Sequence, residues 1–126
     1  MIDFANRGMF SKLKKVSNDS VGKNLEALLL PDETIIGTYK GMRDYVVFTD
    51  KRVIAVDVQG LTGKKQDFTS MPYKKISVWS VQTGGTFDLD AELELYFSGV
   101  GRVMFEFTGA TDIIRIGQII SRYALD

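Results

Sequence analysis

The feature that most constrains this chain is a change in hydrophobic spacing at Pro31. Before it, apolar residues such as Val21, Leu25 and Leu28 recur every three or four positions, as on one side of a helix. From Glu33 onward they recur every second position, as on one face of a strand. This alternation continues through most of the chain, with glycine-containing turns between its segments. It predicts a mainly β domain of antiparallel strands.

The alternating pattern predicts seven strands, at residues 33–42, 45–49, 52–58, 66–72, 75–83, 91–98 and 102–108. The clearest pair is a hairpin. Its first strand turns Leu93, Leu95 and Phe97 inward, and the turn at 98–101 leads to a partner strand with Phe105 inward. We expect these strands to form an antiparallel barrel or orthogonal sandwich, because each has one apolar face to bury.

Helical spacing returns at the end of the chain. Thr111 or Asp112 can cap a helix that places Ile113, Ile116 and Ile120 on one side. Isoleucine is a mediocre helix former, so burial against the sheet must stabilise this helix. We therefore expect it to close one mouth of the barrel.

The first 31 residues are predicted to form an N-terminal helical extension, and residues 32–126 the β domain. A stripe at helical spacing predicts a basic amphipathic helix over residues 2–16, with Ile2, Ala5, Met9, Leu13 and Val16 on one side. A second helix is expected from Val21 to Leu28, because Pro31 disfavours helix in the residue before it.

Composition limits the chemistry. The 126 residues include no cysteine and no histidine, which excludes disulfides, thiolate chemistry, triad catalysis and most soft-metal sites. Sixteen basic and sixteen acidic residues balance, so no global field favours nucleic acid. We expect no catalytic residue, no cofactor and no nucleic-acid partner. The start of the chain lacks the apolar core of a signal peptide, and we expect a cytoplasmic location.

Two motifs that suggest ligands do not have the required spacing. The acidic run from Asp88 to Glu94 passes directly into an alternating strand and lacks the ligand spacing of an EF-hand loop. The segment Gly60-Leu61-Thr62-Gly63-Lys64-Lys65 lacks the full phosphate-loop string and lies between strands instead of before a helix. We interpret the first as a solvated strand face and the second as a hairpin turn, so no metal site is expected.

Three motifs carry a family resemblance. They are Gly41-x-Arg43-Asp44-x-x-Val47-Phe48-Thr49-x-Lys51-Arg52-Val53-Ile54-x-Val56-Asp57-x-Gln59-Gly60-x-Thr62-Gly63-Lys64-Lys65, Ser70-x-Pro72-Tyr73-x-x-Ile76, and Ser80-Val81-x-Thr83-x-Gly85-x-Phe87-Asp88-x-Asp90-x-Glu92-Leu93. In these motifs the sequence resembles the bacterial pleckstrin-homology-like (PH-like) domain family. The resemblance implies a seven-stranded PH-like fold with a C-terminal helix, and self-association into ring-shaped homo-oligomers.

The first functional hypothesis is a non-enzymatic interaction or scaffold module that assembles with copies of itself and presents a surface to another protein. Exposed loops between strands supply the candidate interface or ligand residues, which are Arg43, Asp44, Lys51, Arg52, Lys64, Lys65, Phe87, Asp88 and Asp90. The N-terminal helix would bury its stripe on its own barrel, on a neighbouring subunit or on another protein.

The alternative hypothesis is a peripheral membrane or lipid-binding module in which the basic N-terminal helix lies among the headgroups. Its candidate partner or membrane residues are Phe4, Arg7, Met9, Phe10, Lys12, Leu13, Lys14 and Lys15. A third hypothesis is a carrier that holds a small ligand at the barrel mouth. Binding to anionic vesicles would separate the membrane hypothesis from the first hypothesis. An apolar molecule that copurifies would separate the carrier hypothesis from it.

Overall fold

The structure, a computed structural model, describes residues 1–87 and 89–126. Those residues form eight strands and two α-helices. The strands are β1 (Gly8–Val16), β2 (Ile35–Lys40), β3 (Tyr45–Thr49), β4 (Arg52–Gln59), β5 (Lys65–Pro72), β6 (Val78–Gln82), β7 (Ala91–Phe97) and β8 (Gly101–Phe107), and the helices are α1 (Lys23–Leu28) and α2 (Ile113–Ala124). Short 3-10 turns lie at Phe4–Asn6, Asn18–Ser20 and Tyr73–Lys75.

All eight strands belong to one curled sheet in the order β5-β4-β3-β2-β1-β8-β7-β6. Neighbouring strands are antiparallel except β1 and β8, which run parallel. Helix α2 packs against the 3-10 turn that follows β5 and against β6 and β7. Within the described residues, no helix is long and apolar enough to cross a membrane.

The mainly β, PH-like fold and its C-terminal helix are confirmed. Each of the seven predicted strands is present, and α2 begins where a cap was expected, with the Asp112 carboxylate accepting a hydrogen bond from the Arg115 amide at 3.1 Å. The face of α2 towards the sheet buries Ile113, Ile116 and Ile120. Burial of these side chains stabilises a helix that isoleucine would not form well alone.

The helix predicted over residues 2–16 is wrong. Apart from the 3-10 turn at Phe4–Asn6, this segment is extended, and residues 8–16 form β1. β1 lies between β2 and β8 near the middle of the sheet. The sheet therefore has eight strands instead of seven, and the N-terminal residues share it with the rest of the chain. The predicted second helix is present as the six residues of α1.

An irregularity in β1 breaks the strict two-residue alternation of a strand. Phe10 pairs with Phe105 and Leu13 pairs with Phe107, so the register shifts between them. Lys12, inside this shift, has a φ of 56°, in the left-handed region. A bulge adds a residue to one strand and re-aims the side chains beyond it. Phe10 and Leu13 are consequently both buried although they are three residues apart.

The N-terminal 3-10 turn closes over the end of the hairpin β7–β8. Phe4 is buried there, and its ring meets that of Phe97 edge to face at 5.5 Å. The close approach needs glycine at position 101, where φ is +136° and an added Cβ would overlap the Phe4 carbonyl. A smaller apolar cluster, which includes Leu25 of α1, covers the other face of β3 and β4.

Candidate interaction surfaces

The turn between β3 and β4 places Arg52 in a closed polar cluster with Glu33 and Thr49. The Arg52 guanidinium donates to both Glu33 carboxylate oxygens, each at 2.9 Å. It also donates to the Leu28 carbonyl at 2.9 Å and to the Ser70 hydroxyl at 3.1 Å. This polar group thus joins α1, β4 and β5, and its guanidinium is engaged within the fold.

The Glu33 side chain is fully buried and ionised in this cluster. Burial would raise the pKa of its carboxyl, but hydrogen bonds from Arg52, from the Thr49 hydroxyl at 2.7 Å and from the Leu30 amide at 3.1 Å outweigh it. The net effect lowers the pKa below its ordinary value. A buried carboxylate with a bidentate arginine and two further donors is a structural ion pair.

Lys51, the neighbour of Arg52, is on the surface. Its ammonium lies 3.4 Å from the carboxylate of Asp32, and both side chains are exposed. Exposed pairs of this kind contribute little stability. Of the two basic residues predicted in this turn, Lys51 is accessible to a partner, whereas Arg52 is held by the fold.

Arg43 and Asp44 join two loops at one end of the sheet. The Arg43 guanidinium, in the loop between β2 and β3, donates to the Gly60 carbonyl in the loop between β4 and β5. The Asp44 carboxylate accepts from the Val58 amide at 2.9 Å. Burial and the nearby Asp57 raise the pKa of Asp44, and that single hydrogen bond does not offset them. The hydrogen bonds of Arg43 and Asp44 thus connect the loop between β2 and β3 to the loop between β4 and β5 and to the end of β4.

The remaining predicted loop residues do not form one common site. Lys64 is exposed on the loop that Arg43 contacts, and Lys65 is exposed at the start of β5. Phe87 is fully exposed in the loop between β6 and β7, and Asp90, near the start of β7, is half-buried. Asp88 lies outside the described residues. No three or more acidic side chains in the described part of the chain are grouped to hold a metal ion.

The N-terminal residues predicted for a partner or membrane helix divide between core and surface. Phe4, Phe10 and Leu13 are buried, and the Phe10 ring stacks on Phe105 at 5.5 Å. The Arg7 guanidinium lies 3.7 Å from the Glu94 carboxylate. The others on the surface are Met9, Lys12, Lys14 and Lys15. Most of the apolar side chains that a membrane helix would insert are thus inside the protein.

Comparison with known proteins identifies the family. Residues 5–124 match the family described as the bacterial PH domain. This chain belongs to the bacterial PH domain family. It is 48% identical to the uncharacterised protein YjqA of Bacillus subtilis over 92 residues. This aligned region covers 73% of this chain and 74% of YjqA. It is 34% identical over 116 residues to the uncharacterised protein YozO of the same organism, covering 92% and 96% of the two chains.

Solved structures agree with this assignment. A pleckstrin-homology-domain protein from Shewanella loihica superposes with a TM-score of 0.78 at 37% identity, over 91% of this chain and 99% of that one. A pleckstrin homology domain from Shewanella amazonensis has a TM-score of 0.65 at 43% identity, over 88% and 93%. The N-terminal strand is therefore inside the family match, which begins at residue 5.

Sequence reasoning predicted the strand β6 of this bacterial PH domain but missed its position at the edge of the sheet. It pairs with β7 on one side, and no other described strand pairs with it. Val78 is 61% exposed and lies opposite Tyr96 of β7, which is 42% exposed. On the inner face Trp79 and Val81 pack against the core. The strand contains no charged residue and no proline. The sequence signal for an open edge was the lack of charge in this short strand.

Proposed function

We propose that this bacterial PH domain is a non-enzymatic interaction module that assembles with copies of itself into a closed, ring-like homo-oligomer. The observation that carries the proposal is the uncharged edge of β6, with its exposed Val78–Tyr96 pair. Unpaired backbone groups at a sheet edge are a template for another strand, and proteins usually protect such edges with charge, proline or a bulge. The non-enzymatic part rests on a sequence without histidine or cysteine.

A ring needs a second contact, because two β6 edges that pair about a twofold axis give only a dimer. The joined loops at the Arg43 end of the sheet supply a candidate. Met42 is 91% exposed there and Leu61 is fully exposed, on two loops that the Arg43–Gly60 hydrogen bond holds together. Exposed apolar side chains on a fixed support, beside the accessible Lys64, are suited to bind a neighbouring subunit.

The membrane hypothesis loses the element on which it depended. It required an amphipathic helix over residues 2–16, and β1 occupies most of that segment with Phe10 and Leu13 in the core. The cytoplasmic location expected from the sequence stays a prediction.

Light-scattering mass during size exclusion tests the assembly. We expect the wild-type chain to have a discrete mass that is a multiple of 14.1 kDa and larger than a dimer. The variant Val78→Lys should give smaller species, because it places a charge in the edge contact. Leu61→Ser should stop at the dimer, because it removes the second contact. The control Gln66→Lys puts the same charge on β5 and should keep the wild-type mass. A wild-type monomer at all concentrations would overturn the proposal.

A further inference from the structure

A groove of about 460 Å³ lies between β1, β2 and the loop at 108–111 that leads into α2. The side chains of functional interest along it are Lys14, Lys15, Tyr39, Asp112 and Arg115. It is separate from the edge of β6 and from the joined loops around Arg43. A ligand in this groove would therefore bind independently of the proposed assembly.

The wall of the groove includes a buried tyrosine whose hydroxyl has no hydrogen-bond partner among the described residues. Tyr39 is 94% buried, and its ring meets those of Phe48 and Phe107 edge to face at 5.7 and 5.1 Å. Its hydroxyl makes no hydrogen bond to any described residue. No side-chain polar atom of the described residues is both fully buried and without a hydrogen-bond partner. The hydroxyl must therefore retain an opening to solvent, and Tyr39 lines the groove. A polar group placed in a core in this way is usually paired.

Three basic residues line the same groove without ion-pair partners. In the part of the chain that the structure describes, the salt bridges involve none of Lys14, Lys15 and Arg115. Lys15 lies directly opposite Tyr39 on β2 and so shares its face of the sheet, whereas Lys14 lies opposite Lys40 on the other face. Asp112 is the single acidic residue in the groove, and its carboxylate already accepts the Arg115 amide as the helix cap. On the side of Tyr39, Lys15 and Arg115 exceed Asp112 by one positive charge, which no salt bridge between described residues neutralises.

The Tyr39 hydroxyl is suited to donate to an anion. Burial raises the pKa of Tyr39 above its ordinary value, although the nearby Arg115 opposes the shift. The hydroxyl therefore keeps its proton at neutral pH. A neutral donor flanked by charged donors forms short, strong hydrogen bonds to an oxyanion.

We infer that this groove binds a phosphate monoester, with the Tyr39 hydroxyl as a neutral donor and Lys15 and Arg115 as charged donors. A phosphate monoester carries about two negative charges at neutral pH, so the positive charge of the lining attracts it. The start of α2 adds a favourable dipole, because the N-terminal end of a helix attracts anions. The volume leaves room for an organic group beyond the phosphate.

Calorimetric titration with glycerol 3-phosphate tests the inference, with glycerol as the uncharged control. We expect saturable binding of the phosphate ester and none of glycerol. Amide chemical-shift changes should be concentrated at Gly109 and Thr111, beside the groove. Absence of saturable binding to both glycerol 3-phosphate and vesicles that contain phosphatidic acid would overturn the inference.

Two variants locate the site without disturbing the fold. Tyr39→Phe keeps the packed ring and removes a hydroxyl that has no partner among the described residues, so the melting temperature should stay within about 1 °C while affinity falls about tenfold. Arg115→Gln should lower affinity by a similar factor. The matched control Arg122→Gln changes a basic residue of the same helix outside the groove and should bind as the wild type does. Unchanged affinity in both Tyr39→Phe and Arg115→Gln would contradict the assignment.

A gain of affinity provides a sharper test. Asp112→Asn keeps a capping oxygen for the Arg115 amide and removes the negative charge from the groove. Affinity for glycerol 3-phosphate should rise about two- to fivefold. A fall in affinity would contradict the electrostatic argument.

The source of the phosphate is decided by a second arm. Vesicles of phosphatidylcholine with and without phosphatidic acid present the same chemistry on a lipid. Binding to phosphatidic acid vesicles that Tyr39→Phe weakens would assign the groove to a lipid headgroup. Binding of glycerol 3-phosphate alone would assign it to a soluble ester.

Discussion

The two edges of the sheet, β5 and β6, differ in how they are protected. β5 carries Lys65, Asp67 and Pro72, the residue types that discourage pairing with another strand. β6 has none of them and exposes Val78 beside its free edge. One sheet therefore has a protected edge and an open one, and the difference indicates which edge is available for a partner.

β5 is also tied to the rest of the molecule. The Arg52 guanidinium donates to the Ser70 hydroxyl of β5 at 3.1 Å while it holds Glu33 and the carbonyl of Leu28. The Ile2 amide donates to the Thr69 hydroxyl at 3.2 Å. The protected edge is thus fixed by side-chain hydrogen bonds that reach other parts of the chain.

The largest effect should come from breaking the polar cluster behind β5. Glu33→Ala removes the buried carboxylate, which is the ion-pair partner of Arg52 and an acceptor for the Thr49 hydroxyl. We expect the free energy of unfolding to fall by about 3 kcal/mol, as for other buried pairs that lose one member. Urea denaturation followed by fluorescence of Trp79 measures it.

The control for this change is Asp32→Ala, which removes the partner of an exposed pair with Lys51. It should cost less than about 1 kcal/mol. Equal losses in Glu33→Ala and Asp32→Ala would contradict the role given to the cluster.

The same cluster should make stability depend on pH. The pKa of Glu33 is lowered in the folded protein, so its ionised form stabilises the fold above the ordinary value of 4.5. That contribution is lost as the pH falls through the lowered pKa. The stability difference between the wild type and Glu33→Gln should therefore shrink in acid. A difference that stays constant from pH 7 down to about pH 2 would exclude this linkage.

A smaller change should open the assembly without unfolding the chain. Ser80 is exposed in the middle of β6, and Ser80→Lys adds the kind of charge that β5 already has. We expect association to weaken about tenfold or more, while the melting temperature of the dissociated chain changes by less than about 2 °C. Sedimentation velocity over a concentration series measures the association. Wild-type association of Ser80→Lys would place the contact elsewhere.

The smallest effect concerns the bond from Arg52 to β5. Ser70→Ala removes one hydrogen bond at an exposed position and leaves the Glu33 pair intact. A loss of about 0.5 kcal/mol is expected in urea denaturation. A loss as large as that of Glu33→Ala would show that the β5 contact, and not the ion pair, is what stabilises the cluster.

The seven later strands could be predicted because their alternation has period two and glycines mark several of their turns. β1 could not, because its bulge buries Phe10 and Leu13 three residues apart, which breaks the alternation of a strand. The stripe that predicted a helix instead included Met9, which is 47% exposed. Local spacing does not distinguish a bulged strand from a helix. The difference comes from the pairing of β1 with β8, whose residues lie about 95 positions away in the chain.

The candidate surfaces were predictable only in part. The exposed loop residues Lys64 and Phe87 are explained by their place between strands. That Arg52 belongs to the fold depends on Glu33, 19 residues earlier, and no local pattern connects them. The groove likewise requires Tyr39 and Arg115 to come together from β2 and α2, which only the tertiary structure shows.

Amide hydrogen exchange at the two edges tests the central claim most directly. The free backbone amides of β6, within Val78–Gln82, should become protected when the protein concentration is raised through assembly. Those at the free edge of β5 should exchange at the same rate throughout. Protection that appears at β5, or exchange at β6 that does not depend on concentration, would contradict assembly through the open edge.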